Sequence, residues 1–588
     1  MSYKGLRFLI LILLTSVHLS SCTEDAARKI VIVSTTDVHG AIFPYDFTDR
    51  RPLEGSLAGV SSYLKQLRKK DEVVLLDNGD NLQGQPVVYY YNFLDTVSLH
   101  INSLVMNYMK YDAASVGNHD IEAGHSVYDR LVKEYNFPLL AANAVRNTDG
   151  NTYFKPYTII HKNNTKIAVL GLITPSVPQW LPPALYSGME FTGMVEAARK
   201  WMPEILKDKP DIVVGLFHSG YRTPAGNQLL NPENTREEDA SGEVAYLVPG
   251  FDIIFAGHDH RAVCEKIVNI AGDSVLILNA GSRAESAAEA TIIFTGRSSE
   301  KVSVTGRLVE IKKYGPDNEF VSEFKQQEKS VREFVDQEIG ALANTISTRS
   351  SYFGPSAFVD LIHTIQLNIT QADISFAAPL SFDAEIKKGI LTVGDMFKLY
   401  RYENMLYKMN MKGYEIDKYL EYSYSGWYNT MSGPGDNLIN FRKDDSGKVL
   451  VNNCRAMLKI PPYNFDSAAG IEYTVDVSKP AGRRVEILYM YNRKPFGLNE
   501  TYSVALNSYR GSGGGGHLTS GAGINANEIS ERLLSSTVKD LRYYIIDYVR
   551  TRKVIDPVPV TRWKVVPEEW ARQARKTDFK LMFGEEEK

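Results

Sequence analysis

Val116-Gly117-Asn118-His119-Asp120-Ile121-Glu122-Ala123-Gly124 decides how the first half of this chain is read. A short apolar lead-in (Ala113, Ala114, Val116) breaks at a glycine into a run of polar side chains. Asn, His, Asp and Glu so close together supply a metal ligand and acid–base groups at once. A turn followed by a helix N-cap accounts for Asn118 or Asp120, but not for the imidazole between them. The same punctuation recurs along the chain, and the recurrence gives it meaning.

Upstream, Lys29-Ile-Val-Ile-Val33 is a compact β-branched run that suits a strand buried on both faces. It ends in Ser34-Thr-Thr-Asp37-Val-His39-Gly40, where Asp37 and His39, two apart, point the same way and can share one metal ion. Leu57 to Lys70 reads as an amphipathic helix, followed by strand Val73–Leu76 and the turn Asp77-Asn-Gly-Asp80. Residues 96–110 and 126–134 read as helices flanking the opening stretch. Strand 166–170 carries no metal-type residue at its end, and helix 194–207 follows it. Strand 211–217 ends at His218-Ser-Gly220, strand 252–257 at His258-Asp-His260, and 274–279 is a last buried strand.

Alternating buried strands and helices predict an α/β architecture with helices covering a mainly parallel sheet. Ligands gather beyond the carboxyl ends of such strands. Five of the eleven histidines (His39, His119, His218, His258 and His260) lie in turns at that topological position. Together with Asp37, Asp80 and Asn118 they supply seven oxygen or nitrogen ligands beside His119, and no thiolate. That set is too large for one tetrahedral zinc and suits two first-row ions in five- or six-coordinate geometry. A shared carboxylate can bridge ions about 3.5–4 Å apart, the spacing of two-metal hydrolytic sites. Phosphate-ester hydrolysis, extremely slow without catalysis, needs such charge neutralisation.

The segments DVHG, GD, GNHD, HSG and GHDH resemble the calcineurin-like metallophosphoesterase signature, and their order, with GNHDIEAG, resembles the 5′-nucleotidase family. The resemblance implies an α/β fold with a four-layer catalytic sandwich over residues 28–310 and a C-terminal α/β substrate domain over 350–550. It implies two divalent ions, with Mn, Zn, Fe and Co equally compatible. Asp37, His39 and His260 would hold one, Asn118, His218 and His258 the other, with Asp80 bridging. His119 matches the family's catalytic histidine, which stabilises the transition state and protonates the leaving oxygen. The family's usual motif, GNHEFDxG, places an Asp three residues after that histidine. Here Glu122 stands there and Asp120 replaces the usual Glu, so Glu122 is the expected partner of His119.

Asp317 to Ala341 is charge-rich with apolar residues at helical spacing and reads as a long solvated helix within a linker, 311–349. Beyond it, YFGPSA (352–357), LTVGD (391–395), LYRYEN (399–404) and ALNSYRGSGGGGH (505–517) resemble the family's C-terminal domain. The glycine run follows a strand-like segment, 501–506, which predicts a loop where backbone approaches a ligand. The resemblance makes Tyr402 and Tyr509 the two rings that sandwich the nucleobase. Where strict 5′-nucleotidases carry an NGGGIR-like motif, this chain reads Phe376-Ala-Ala-Pro-Leu-Ser-Phe382, and Gly515 stands where their loop has an Asp. NSYRGSGGGG is closer to the 2′,3′-cyclic-nucleotide 2′-phosphodiesterase/3′-nucleotidase branch. The rival readings are a 5′-nucleotidase or UDP-sugar hydrolase, and a catalytically inactive nucleotide-binding surface lipoprotein. No chemistry is legible in the tail, 551–588.

With 588 residues and a net charge of −4, the chain can hold several cores and shows no basic surface for a nucleic-acid polymer. The expected partner is a small nucleotide. Lys4 and Arg7 precede the apolar run Phe8–Leu14, and Leu19-Ser-Ser-Cys22 resembles a lipobox. Residues 1–22 then form a lipoprotein signal, with Cys22 acylated and the protein anchored to a membrane of the bacterial envelope. A plain secretory signal ending near Ser21 is the alternative. Cys264 and Cys454 sit in no CxxC motif and read as ordinary buried thiols. Oligomeric state is not legible.

Overall fold

The computed structural model describes residues 28–222, 238–294, 301–452 and 454–587, so the leader with Cys22 lies outside the described residues. Two six-stranded sheets stack in the N-terminal half. The first runs in the order Lys301–Glu310, Ser286–Phe294, Arg28–Thr35, Glu72–Asp77, Ala113–Ser115, Leu139–Leu140. The second runs Val263–Val268, Ser274–Asn279, Ile253–Ala256, Ile212–His218, Thr165–Ile173, Tyr157–Lys162.

Strand alternation builds the layers. Ile30, Ile32, Val74 and Leu76 meet Val169, Val214, Leu216 and Phe255 between the sheets. The intervening Val31, Val33, Val73 and Leu75 face helices on one outside, and Leu170, Val213, Ile254 and Ile277 face helices on the other. This is the expected four-layer sandwich. Burying each such side chain contributes roughly 1.5–3 kcal/mol. The sheets are less parallel than expected: the ligand-bearing strands are parallel, but 263–268, 286–294, 301–310 and 157–162 pair antiparallel at the margins. Antiparallel neighbours need only short connections, which periodicity alone does not reveal.

Local chemistry sets the element limits. Ser56 accepts from Gly59 N–H and starts the helix Leu57–Leu67. The helix expected over 96–110 begins at Ile101, because the His100 ring accepts from Asn102 N–H and caps it there. A helix at Pro86–Phe93 was not expected: its run of apolar and aromatic residues has no helical period, although Pro86 suits a first turn.

The expected solvated linker helix is corrected. Residues 317–341 form two helices, Asn318–Glu323 and Lys325–Val335, broken at Phe324, and then a strand, Glu338–Leu342. Phe320, Phe324, Val331 and Val335 are buried in the outer core of the N-terminal half. The two buried phenylalanines, rather than the charges, decide where this segment lies.

In the C-terminal half a five-stranded sheet runs Ser467–Ala469, Ile374–Ala377, Thr501–Asn507, Met405–Lys412, Leu533–Asp540. Helices Ala357–Thr370 and Gly413–Trp427 cover it. The tail belongs to this half: Arg562–Val566 pairs with Ile471–Asp476, and Phe579, Met582 and Phe583 enter the same core as Trp427. The two cysteines are corrected as well. Both are exposed, Cys264 on the margin strand and Cys454 in a tight hairpin turn.

The unexpected helix Pro86–Phe93 joins the halves. Tyr89 donates to Asp540 Oδ2 at 3.0 Å and sets its ring edge-on to Phe397, 5.3 Å away. The Arg542 guanidinium lies 4.0 Å from the Phe397 ring centre. On the same seam Arg50 donates to Thr392 Oγ1 at 2.7 Å.

Candidate active site

All five ligand-type turns leave the carboxyl ends of strands and converge. Five of the seven ligand-type residues, Asp37, His39, Asp80, His258 and His260, have left-handed backbone (φ 49–70°). Non-glycine residues seldom adopt it, and it clusters where a site is over-determined by its surroundings. The turns close on one another through glycine: a Cβ on Gly117 would lie 2.2 Å from Asp80 Oδ1.

Two donor groups result. In one, His39 Nε2 and His260 Nε2 stand 3.0 Å apart, and His260 Nε2 is 3.3 Å from Asp37 Oδ1. In the other, Asn118 Oδ1 lies 2.8 Å from His258 Nδ1 and 3.2 Å from His218 Nε2, which is 3.2 Å from Asp80 Oδ2. These are the two groups drawn from the sequence, and Asp80 also accepts His119 N–H at 2.8 Å. The donors fit divalent cations. Burial pushes His39 down to about 3, so its ring is neutral and, with Nδ1 on Gln83 O, turns an Nε2 lone pair toward the position it shares with His260 and Asp37.

Outer nitrogens are held too. His39 Nδ1 meets Gln83 O at 3.0 Å, and His218 Nδ1 meets Asn78 O at 2.6 Å. Burial disfavours charge on His218, but Asp80 outweighs it and lifts the imidazole to about 10 in the protein without ions. A bound cation would replace that proton.

His119 Nδ1 lies 2.5 Å from Glu122 Oε2. Burial lowers the His119 pKa, yet the Asp80 and Glu122 carboxylates raise it to about 9. Glu122, not Asp120, is thus the carboxylate on the histidine. Asp120 accepts the N–H groups of Asp80, Asn81, Leu82 and Gly117 at 2.8–3.2 Å, locking the Asp80 turn.

A cavity of about 1150 Å³ opens between the domains over these groups. Tyr402 and Tyr509 both line it from the C-terminal side, and so does the loop Gly513–Gly516. That loop has positive φ at Gly513, Gly515 and Gly516, and a Cβ on Gly514 would lie 2.5 Å from the Tyr509 ring. The sequence reading missed Tyr463, Arg283, Arg401, Trp180 and Glu238 on the same walls. Tyr463 stands edge-on to Tyr402 at 6.3 Å. Arg283 and Arg401, one from each half, both line the cavity, and burial first and then Arg401 lower the Arg283 pKa. Arg401 lies beside Tyr402 and Arg283 just beyond the strand Ser274–Asn279, but a search for metal-type residues passes over arginine.

Comparison with known proteins agrees with this geometry. Residues 30–262 match the family model of calcineurin-like phosphoesterases, and residues 338–520 match that of the 5′-nucleotidase C-terminal domain. The chain is 24% identical over 638 residues to the 2′,3′-cyclic-nucleotide 2′-phosphodiesterase/3′-nucleotidase of Haemophilus influenzae, covering 95% of this chain and 92% of that one. It is 25% identical over 608 residues to the trifunctional nucleotide phosphoesterase protein YfkN of Bacillus subtilis, covering 92% of this chain but only 39% of YfkN. The fold matches a solved 5′-nucleotidase precursor from Thermus thermophilus with a TM-score of 0.62 at 22% identity, over 92% of this chain and 100% of that one. The chain therefore belongs to the 5′-nucleotidase family of calcineurin-like metallophosphoesterases and is a metal-dependent phosphoester hydrolase.

Proposed function

We propose that this protein hydrolyses nucleotides, taking 2′,3′-cyclic nucleotides and 3′-nucleotides in preference to 5′-nucleotides. The observation that carries the reading is one cavity with His119 and five ligand-type side chains, His39, Asp80, Asn118, His258 and His260, on one wall, Asp37 and His218 buried against them, and two tyrosines on the other wall. Asp37, His39 and His260 would hold one divalent ion, and Asn118, His218 and His258 the other, with Asp80 shared. Bound ions supply Lewis acidity, activating water and neutralising phosphate charge. Glu122 holds the proton on His119 Nδ1, which turns Nε2 toward the cavity to donate to the departing sugar oxygen. Tyr402 and Tyr509 clamp the base, and Arg283 and Arg401 lie where they can neutralise the phosphate.

The preference within the family rests on the relatives named for the cyclic and 3′ activities and on the segment 376–382, which lacks arginine. It is tested by steady-state hydrolysis of 2′,3′-cyclic AMP, 3′-AMP and 5′-AMP with Mn- or Zn-loaded protein. A higher kcat/KM on 5′-AMP would favour the 5′-nucleotidase reading instead. Tyr402→Ala and Tyr509→Ala should each raise KM about 5- to 150-fold, the value of roughly 1–3 kcal/mol for a stacked base. An unchanged KM in both would remove the base clamp.

The proposed division is a catalytic domain at 28–310, a linking segment at 311–349 and a nucleotide-binding domain from 350, with 551–588 packed on it. Acylation at Cys22 would tether the protein to an envelope membrane. Among the described residues no helix is long and apolar enough to cross one. Mass spectrometry of the membrane fraction, with and without Cys22→Ala, checks the anchor.

A further inference from the structure

His39, His218 and the partly buried His258 each have the outer nitrogen fixed, and His258 differs in how. His39 and His218 use backbone carbonyls, whereas His258 Nε2 lies 2.9 Å from the Glu238 carboxylate. Its other nitrogen, Nδ1, faces Asn118, so the ring lies between the cation position and an anion. One face of the ring is covered by Trp180, stacked at 5.2 Å and 22°.

Glu238 is built into the site rather than merely near it. Ser219, which follows His218, donates to Glu238 O at 2.7 Å and accepts from Ala240 N–H at 2.8 Å. Its carbonyl accepts from Ser241 Oγ at 2.8 Å. The serine beside one ligand-type histidine thus anchors the backbone of the residue whose carboxylate meets the next. Glu238, Asp239 and His258 also bring three donors together. A third cation site is not the better reading, because Asp239 Oδ2 is taken by Arg222 at 2.9–3.0 Å.

We infer that Glu238 is a positioning residue for His258 and that Ser219 and Trp180 complete its support. A carboxylate on Nε2 keeps the proton there, leaves the Nδ1 lone pair free for the cation and makes the ring a stronger donor. Only the cation position of Asn118, His218 and His258 gains from this arrangement. Its counterpart ends in His260, whose side chain is 46% exposed.

The inference rests on these histidines binding metal, so the test reads binding directly. Full-length protein is stripped with chelator and titrated with Mn²⁺ and with Zn²⁺ by calorimetry. Trp180 fluorescence is followed in parallel, its signal assigned by Trp180→Phe. Glu238→Ala should weaken one of two binding steps about 10- to 100-fold and leave the other within a few-fold. Glu238→Gln, which keeps an acceptor but not the charge, should fall between. Ser219→Ala should weaken the same step less. The melting temperature of the stripped protein should not move, while its rise on adding ions should shrink.

Two unchanged steps in Glu238→Ala would overturn the inference and leave the two-ion reading intact. Equal weakening of both steps would overturn it too, because Glu238 touches only one of the two positions. Absence of binding by the unmutated chain would overturn the two-ion reading, and the inference with it.

Discussion

His119→Ala is expected to lower kcat by about 10²–10⁴-fold, or roughly 2.7–5.4 kcal/mol of barrier, with KM changed only a few-fold. Three contacts fix this residue: its N–H on Asp80, its Nδ1 on Glu122, and its place on the cavity wall beside Asn118. The first of these is made by backbone and survives the substitution, so the Asp80 turn and the cation donors stay where they are. The loss should therefore fall on proton delivery to the leaving oxygen rather than on binding. Glu122→Gln should cost less, about 10- to 100-fold, because it disturbs the orientation and tautomer of His119 without removing it. Metal content and single-turnover rates, measured together, check both. A His119→Ala protein that had lost its ions would place the defect in the metal centre instead.

Asp80→Ala is expected to be the more damaging change, lowering activity on the order of 10³-fold or more through loss of the shared ligand of a two-ion site. Asp80 is 1% exposed and lies 3.2 Å from His218, which is itself fully buried. Its removal takes away the carboxylate that holds the proton on His218 and leaves buried polar groups without their partner, a defect of about 1–3 kcal/mol. The melting temperature should fall, and elemental analysis should find neither position filled. Asp80→Asn keeps an acceptor for His119 N–H and should recover part of the stability without recovering the ions. Retention of both ions by Asp80→Ala would overturn the bridging role.

The donor set was legible because it is written in short segments. Each strand before a ligand turn is a compact apolar run, and each turn follows it within a few residues, as at Val31–Asp37 or Phe255–His258. The 3.6-residue pattern found the helix Met194–Lys207 to the residue. It failed at Pro86–Phe93, which is apolar around most of its circumference because it packs on two domains. The linker failed for the opposite reason. Its charges outnumber its apolar residues, yet Phe320 and Phe324 had a core to enter.

Glu122 and Asp120 mark the limit of local reading. Both are carboxylates near His119, and spacing alone ranks them only by analogy. Asp120 is drawn away by four N–H groups from positions 80–82 and 117 brought around it by the fold, which leaves Glu122 for the imidazole. The cysteines went wrong in the same way: whether Cys264 faces core or solvent depends on its strand being at a sheet margin.

By itself the sequence determined the strand-turn-helix order, the α/β class and the chemistry of the donors, since these depend on neighbours in the chain. Tertiary structure alone decided which atom of each donor faces inward. His39 is turned by Gln83, His218 by Asn78 and His258 by Glu238, partners 44, 140 and 20 residues away. It also decided that Arg283 and Arg401 line one cavity and that Trp180 covers His258. A side chain's orientation is set by the groups packed around it, and those are assembled only when distant segments meet.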